Sequence, residues 1–331
     1  MIKKLVFVES KVFFPYTNQA VETEILRHVG RDELIIYLWA NDKTVFIGKN
    51  QNAFSQCDIL ALRADGGYLA RRFTGGGAVY HDKGNLNFSF FAHRENYDKT
   101  LNFSIIVDAL KSLGVTATLS GRNDMIADGK KFSGNAFYES KDECLHHGTL
   151  LIKSIHTNVE KYLRVHPEKI ATKGVKSVSS RIVNLTQINP AITPEKVKNA
   201  IFIAAKKKFP KTEIETRNFY DFDRKEVKNL IKHYGDQNYI LGDDIHYDFN
   251  FVKRFEWGTA DIRVKLSQGK IEKIKIYSDS LDVELASLQE KLLFGADIKT
   301  YDGEYADIAR AIEQALEESD NNAWPSVLTD N

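Results

Sequence analysis

Ala20, Val21, Ile25 and Val29 recur at helical spacing, with Thr17 or Asn18 ahead as a cap and Gly30 behind as a stop, so a helix is expected there. Two apolar runs rich in β-branched and aromatic residues follow, ELIIYLWA from Glu33 and TVFIG from Thr44. Both read as buried strands. The stretch AFSQCDILALRADG from Ala53 fits either helix or loop, and GGYLARRF leads from it into three consecutive glycines. Over 99–113, Ile106, Leu110 and Leu113 again keep helical spacing, with Gly114 just beyond.

Three strand patterns come next, TATLSG, KKFSGNAFYE and LHHGTLLIK, the last two joined by a polar SKDE turn. Residues 158–235 read as mainly helical. Thr193 and Pro194 form a cap with proline in the first turn, and Asp223 to Glu226 form a capping box before Val227, Leu230 and Tyr234. From about residue 250 the period returns to two in DIRVKL and KIEKIKIY, joined by a Ser-Gln-Gly-Lys turn, ahead of helices near 283–293 and 304–317. A domain over 1–245 and a smaller one over 246–331, hinged around 243–254, are expected.

Composition narrows the partners. Lys and Arg number 46 against 45 Asp and Glu, a balance that argues against nucleic acid or an anionic membrane as the main partner. Two cysteines, Cys57 and Cys144, cannot make a disulfide framework, and no Cys-x-x-Cys offers a zinc site. The longest apolar run, 34–40, is too short to span a bilayer, so a soluble cytoplasmic protein is expected.

The chemistry concentrates in RRFTGGGAVYHDKGNLNFSF, from Arg71 to Phe90. Three successive glycines, Gly75, Gly76 and Gly77, can take positive φ and leave their N–H groups unobstructed, a concave donor surface for phosphate or carboxylate oxygens. Arg71 or Arg72 adds a permanent charge. Neither GxxxxGK[ST] nor GxGxxG opening a helix is present, which removes the P-loop and Rossmann readings. Adjacent residues on a strand face opposite ways; Asp82 is taken to face the site, through Mg²⁺, and His81 to be structural.

GRNDMIADGKKFSGNAFYES, from Gly121 to Ser140, repeats the pairing of turn glycine and charge. Strict alternation would put Lys131, Ser133 and Asn135 on one face and Lys130 and Phe132 on the other. By spacing alone Lys131 is either a charge bridging a carboxylate and a phosphate or a surface lysine. His146 and His147 are read either as site residues or as ordinary strand residues.

Together these stretches resemble the lipoate-protein ligases. PYTNQAVETEIL, IGKNQN at 47–52, the glycine segment, GRND followed by GKKFSGNAF, HHGTLL at 146–151, VKSVSSRIVNL at 175–185 and FEWG at 255–258 carry the resemblance over the full length. It implies an α+β fold: a mixed β-sheet catalytic domain of the biotin/lipoate ligase type with a small C-terminal α/β accessory domain. It implies ATP and Mg²⁺, a lipoyl-adenylate, and acceptors that are apo lipoyl domains of 2-oxoacid dehydrogenase E2 subunits and the glycine-cleavage H protein.

Carried onto matching positions, the resemblance assigns Arg72, Gly77, Ala78, Val79, Tyr80 and Lys131 to ATP or the adenylate, with Lys131 the catalytic residue and also touching the lipoyl carbonyl. Gly75, Gly76, Asp82, Asn85, Asn123, Asp124 and Arg181 are expected around the same nucleotide. The lipoate side takes Lys131, Arg72, Gly77, Ser133, Gly134, His147 and Gly148. Asp82 or Asp124 would meet Mg²⁺ through phosphate. Ser180 resembles a segment near the adenylate, and Asp82, Asp124 and His147 are candidate bases for the transfer step. One alternative is an octanoyl or lipoyl transferase acting through a Cys57 or Cys144 thioester; another is a binder without turnover.

Overall fold

The computed structural model describes residues 1–164, 181–218, 221–242, 247 and 249–322, side chains being described to 318. The VKSVS stretch with Ser180, and residues 243–246 and 248 of the expected hinge, lie outside the described residues. The chain divides into two compact units, Met1–Lys49 with Ala53–Gly242, and Asn50–Asn52 with Asp243–Asn331.

The first unit is built on eleven described strands, β1 (Lys4–Glu9), β2 (Glu33–Trp39), β3 (Thr44–Ile47), β4 (Tyr68–Arg71), β5 (Val79–His81), β6 (Asn85–His93), β7 (Thr118–Ser120), β8 (Asp124–Ala127), β9 (Lys130–Glu139), β10 (Glu143–Leu151) and β11 (Glu213–Arg217). Eight form one mixed sheet in the order β11-β1-β2-β6-β10-β9-β8-β7, and β4-β3-β5 form a second, smaller sheet. The fold is α+β, as the resemblance implied.

The two faces of the large sheet differ. Phe88, Phe90, Leu110, Phe132 and Ile201 belong to one apolar core, which takes in the helices Lys99–Ser112 and Pro194–Lys208. The other face meets helix α1 (Pro15–His28) through Val21, Ile25, Tyr37, Trp39 and Phe91. That helix is buried over most of its girth, polar residues included: Asn18, Gln19 and Glu22 have no exposed surface.

The expected cap of α1 is corrected. The helix starts at Pro15, with Phe14 as the extended residue before it. Asn18 lies inside, its amide donating to Val12 O and Ala40 O and its oxygen accepting from Tyr37 Oη at 3.0 Å. The stretch 158–235 is also less helical than expected, because Glu213–Arg217 pairs in parallel with β1 as an edge strand. EIETR carries no buried alternation to betray it, since an edge strand needs only its backbone to pair. AFSQCDILALRADG forms two short helices, Ala53–Gln56 and Ile59–Ala64.

The second unit carries an antiparallel sheet of β12 (Phe249–Phe255), β13 (Gly258–Ser267) and β14 (Lys270–Ser278), with helices Leu285–Leu293 and Ala306–Asn322. Ile262, Val264, Ile271, Ile276, Leu293 and Ile308 form its own core. The positive φ of Gln268 and Gly269 closes the β13–β14 hairpin.

Candidate active site

A cavity of about 120 Å³ lies between the α1-side face of the large sheet and the small sheet. Pockets that swallow drug-sized ligands run to roughly 300–1,000 Å³, so this one suits a slender acyl tail better than a whole nucleotide. The large sheet contributes Trp39, Asn87, His147, Thr149, Gly134, Ala136 and Lys131 to its wall; the small sheet and glycine loop contribute Phe46, Arg72, Gly76, Gly77, Ala78, Val79 and His81.

Arg72 sets the shape of the loop. Its guanidinium is buried and donates to Gly75 O at 2.7 Å, Gly77 O at 2.8 Å and Phe46 O at 3.0 Å. Burial lowers its pKa to about 10, so it stays a cation. Gly76 has φ +91°, and a β-carbon on Gly48 would sit 2.2 Å from Gly76 O. Gly48, in the IGKNQN stretch, is required by that close approach. Arg71 works elsewhere, donating to Gly48 O, Lys49 O, Tyr239 O and Ile240 O, and it does not line the cavity.

Lys131 lies at the start of β9, 37% exposed at the side chain, with Nζ 2.7 Å from Asp124 Oδ1. Its expected face is corrected. The β8–β9 register slips between Met125 and Ile126: Met125 pairs with Ser133, but Ile126 pairs with Lys131. The extra residue is Phe132, whose ring goes into the apolar core. This β-bulge resets the alternation, so Lys131 shares a face with Gly134. A β-carbon on Gly134 would be 2.9 Å from Lys131 Nζ. Ser133 turns to the buried side, where its hydroxyl accepts from Asn135 Nδ2.

At the inner wall a buried polar chain links α1, β2, β6, β10 and the residue before the glycines. Glu22 of α1 accepts from Ser89 Oγ at 2.6 Å and from His147 Nδ1 at 2.9 Å, and His147 Nε2 meets Thr74 Oγ1 at 2.8 Å. Trp39 Nε1 donates to Ser89 Oγ at 3.0 Å. His147 thus ties α1 to the residue just before the glycines. Glu22, Thr74, Ser89 and Trp39 were not singled out in the sequence. A glutamate between the apolar Val21 and Ile25 was the available signal.

Other expected positions fall as follows. Asp82 does not face the cavity: its carboxylate accepts from Gly84 N, Ser154 Oγ and Ile155 N. His81 lines the cavity instead. The assignment of the pair is therefore reversed, because three donors hold Asp82 on the far side of β5. Tyr80 packs in the core of the small sheet with its hydroxyl bonded to Asn158. Asn85 is buried and donates to Asn87 Oδ1.

Asn123 is in the wall, with Nδ2 donating to Asn135 O. Gly148 offers backbone only, since a β-carbon there would meet Asn135 Oδ1 at 2.4 Å and Phe88 at 2.6 Å. Arg181 precedes Ile182, which bridges to Lys131, so its segment runs alongside the lysine. Both cysteines are buried outside the cavity, and desolvation raises the Cys57 thiol to about 12 and the Cys144 thiol above its ordinary value. Neither is poised as a thiolate nucleophile.

Comparison with known proteins follows the same lines. A family model of the lipoyl protein ligase A/B catalytic domain matches residues 14–206, and one of the bacterial lipoate protein ligase C-terminus matches 244–323. Lipoate-protein ligase A of Psychrobacter cryohalolentis is 39% identical over 303 residues, 89% of each chain, and that of Blochmanniella floridana 35% over 293 residues, 86% of each.

Among solved structures, P. falciparum LipL1 in complex with lipoate superposes with a TM-score of 0.76 at 29% identity, covering 95% of this chain and 99% of that one. A bipartite ligase of Thermoplasma acidophilum, from a study that includes its E2 lipoyl domain, gives 0.63 at 26%, covering 75% and 100%. A lipoate-protein ligase A bound with ATP gives 0.61 at 25%, covering 73% and 99%.

Proposed function

The chain belongs to the lipoate-protein ligase family, and on that premise we propose that it activates lipoate with MgATP as lipoyl-adenylate, then passes the lipoyl group to a lysine of an acceptor protein. The observation that carries the reading is Lys131, half-exposed at the mouth of an acyl-sized cavity whose other lip is the glycine loop.

A carboxylate is ionised at neutral pH, so the first step needs alignment and charge stabilisation rather than a protein nucleophile. A carboxylate oxygen attacks the α-phosphorus, a phosphoanhydride bond breaks, and pyrophosphate leaves. Lys131, released from Asp124, holds the carboxylate and then the acyl-phosphate oxygens. The amides of Gly76, Gly77, Ala78 and Val79 take the phosphate, with Arg72 fixing their loop from behind. In the second step the acceptor amine attacks the acyl carbon and AMP leaves. Asp124, freed from Lys131, then takes the amine proton.

Among the described residues no group of three His, Cys, Asp or Glu is set to hold a metal, and the Asp82 oxygens already accept three hydrogen bonds. The residues do not build a magnesium cage, and Mg²⁺ is assigned to the substrate, MgATP. Acceptors are proposed to be lipoyl domains of E2 subunits and the H protein. The second unit is proposed to serve adenylation more than transfer.

The test is the mass of an apo lipoyl domain incubated with the protein, lipoate and MgATP. A lipoyl increment that needs ATP supports the reading. An unchanged mass under those conditions, or an increment that appears without ATP from an acyl carrier, contradicts it.

A further inference from the structure

Two residues that line the cavity each carry a buried side-chain nitrogen with no hydrogen-bond partner among the described residues, Nε2 of His81 and Nδ2 of Asn87. Leaving such a donor unmade costs about 1–3 kcal/mol, so each is a place where a ligand atom would be gained. For His81 the protonation pattern follows from its neighbours. Val12 O and Ala40 O fix the Asn18 amide, Asn18 Nδ2 donates to Asn41 Oδ1 at 2.9 Å, and this turns Asn41 Nδ2 toward His81 Nδ1 at 3.3 Å. A nitrogen facing a donor must accept, so the ring proton is on Nε2. Desolvation and the Arg72 charge lower the His81 pKa to about 3, which keeps the ring neutral.

The register says which part of a ligand meets these donors. Trp39 pairs with Asn87, Asn87 with Thr149, and Thr149 Oγ1 accepts from Gly134 N, so the four lie in one row across β2, β6, β10 and β9. Lys131 stands over Gly134. Adjacent strands are about 4.8 Å apart, which sets Asn87 about 10 Å and Trp39 about 14 Å from the lysine end. The His81 ring is 6.1 Å from Trp39 and 5.5 Å from Phe46. In extended lipoate, with bonds of about 1.5 Å, the sulfurs lie roughly 8–10 Å from the carboxyl carbon.

We propose that His81, assisted by Asn87, donates its Nε2–H to a dithiolane sulfur and so makes the site prefer lipoate to a sulfur-free chain of the same length. The inference rests on the ligase reading and adds a specificity-determining residue to it. A wall of Trp39, Phe46 and Ala136 alone would accept a sulfur-free octanoyl tail equally well. A sulfur-free tail leaves His81 without a partner and so forgoes the bond that lipoate gains.

The experiment measures kcat/KM for pyrophosphate release with lipoate and with octanoate, in the wild type, His81→Phe and His81→Gln. The phenyl ring keeps the packing against Phe46 and removes the donor. Its lipoate-to-octanoate ratio is expected to fall about tenfold, equivalent to 1.4 kcal/mol, mostly through lipoate, while the glutamine, which retains an N–H donor, recovers part of the ratio. Equal losses for both acids, or an unchanged ratio, would overturn the proposal.

A second readout uses the wild type alone and needs neither turnover nor a folded variant. In protein labelled with ¹⁵N-histidine, the His81 Nε2–H resonance is expected to shift on adding lipoate and not octanoate. Equal responses to the two acids, or none to either, overturn the proposal. If no pyrophosphate forms with either acid but the lipoate-specific shift is seen, it is the ligase reading that has failed and the sulfur contact stands.

Discussion

The two faces of the large sheet are made from the same strands, yet they solve different problems. On the Phe88 and Phe90 side, rings and aliphatic chains fill space, and His146 is absorbed as a neutral ring bonded to Asn135 and surrounded by Phe88, Phe90, Phe103 and Phe137. On the α1 side, Glu22, Ser89, His147, Asn87 and Thr149 bring polar atoms to a buried surface that opens into a cavity. Apolar packing stabilises without direction; a buried hydrogen-bond chain costs desolvation and gives direction. One face holds the protein together and the other orients its ligand.

Several changes would break or sharpen that contrast. The largest effect on activity short of Lys131 itself is expected from Gly48→Ala, whose β-carbon cannot coexist with Gly76 O. Adenylation should fall at least a hundredfold, the scale of losing one aligned donor set, with a stability loss of about 1–3 kcal/mol from the forced shift. A variant with full activity would show that the loop's approach to β3 is unimportant.

Phe88→Ala, on the packing face, should do the reverse. It is expected to cost about 3–5 kcal/mol of stability, read by urea denaturation, while KM for lipoate in the surviving folded protein stays close to wild type. Glu22→Gln on the other face should cost less stability, about 1–3 kcal/mol for weakening its buried hydrogen bonds with Ser89 and His147, and should raise KM for lipoate. A KM that moves more in Phe88→Ala than in Glu22→Gln would erase the distinction between the faces.

A pH slope tests the neutral rings of both faces. Folded His81 has its pKa lowered to about 3 and His146 is lowered well below 6.5, both mainly by burial. The unfolded chain therefore binds protons near pH 6.5 that the native state refuses, and stability should fall as pH drops from about 6.5 toward 4, by up to about 1.4 kcal/mol per unit for each ring. His146→Leu should flatten the slope. A urea midpoint that rises on acidification over that window would contradict the neutral assignment.

What could be read without coordinates was whatever depends on local periodicity or on glycine. The helix 99–112, the hairpin closed at Gly269 and the positive φ of Gly76 follow from spacing and turn chemistry. The misses share a cause, since each depends on a partner distant in sequence. Asp82 and His81 exchanged faces because Ser154 and Ile155 claim the carboxylate. Lys131 left the face of Ser133 because Phe132 fits the core and forces a bulge. Glu22 was not singled out, because its donors His147 and Ser89 lie far along the chain.

The central claim is that Lys131, facing the glycine loop across the cavity mouth, carries both half-reactions. The direct measurement is lipoate-dependent pyrophosphate release from ATP, and lipoyl transfer from supplied lipoyl-adenylate to an apo lipoyl domain, in the wild type and Lys131→Ala. The account predicts both rates reduced by about a hundredfold or more in the variant, with the urea midpoint unchanged. Pyrophosphate release at the wild-type rate from a folded Lys131→Ala protein would contradict it.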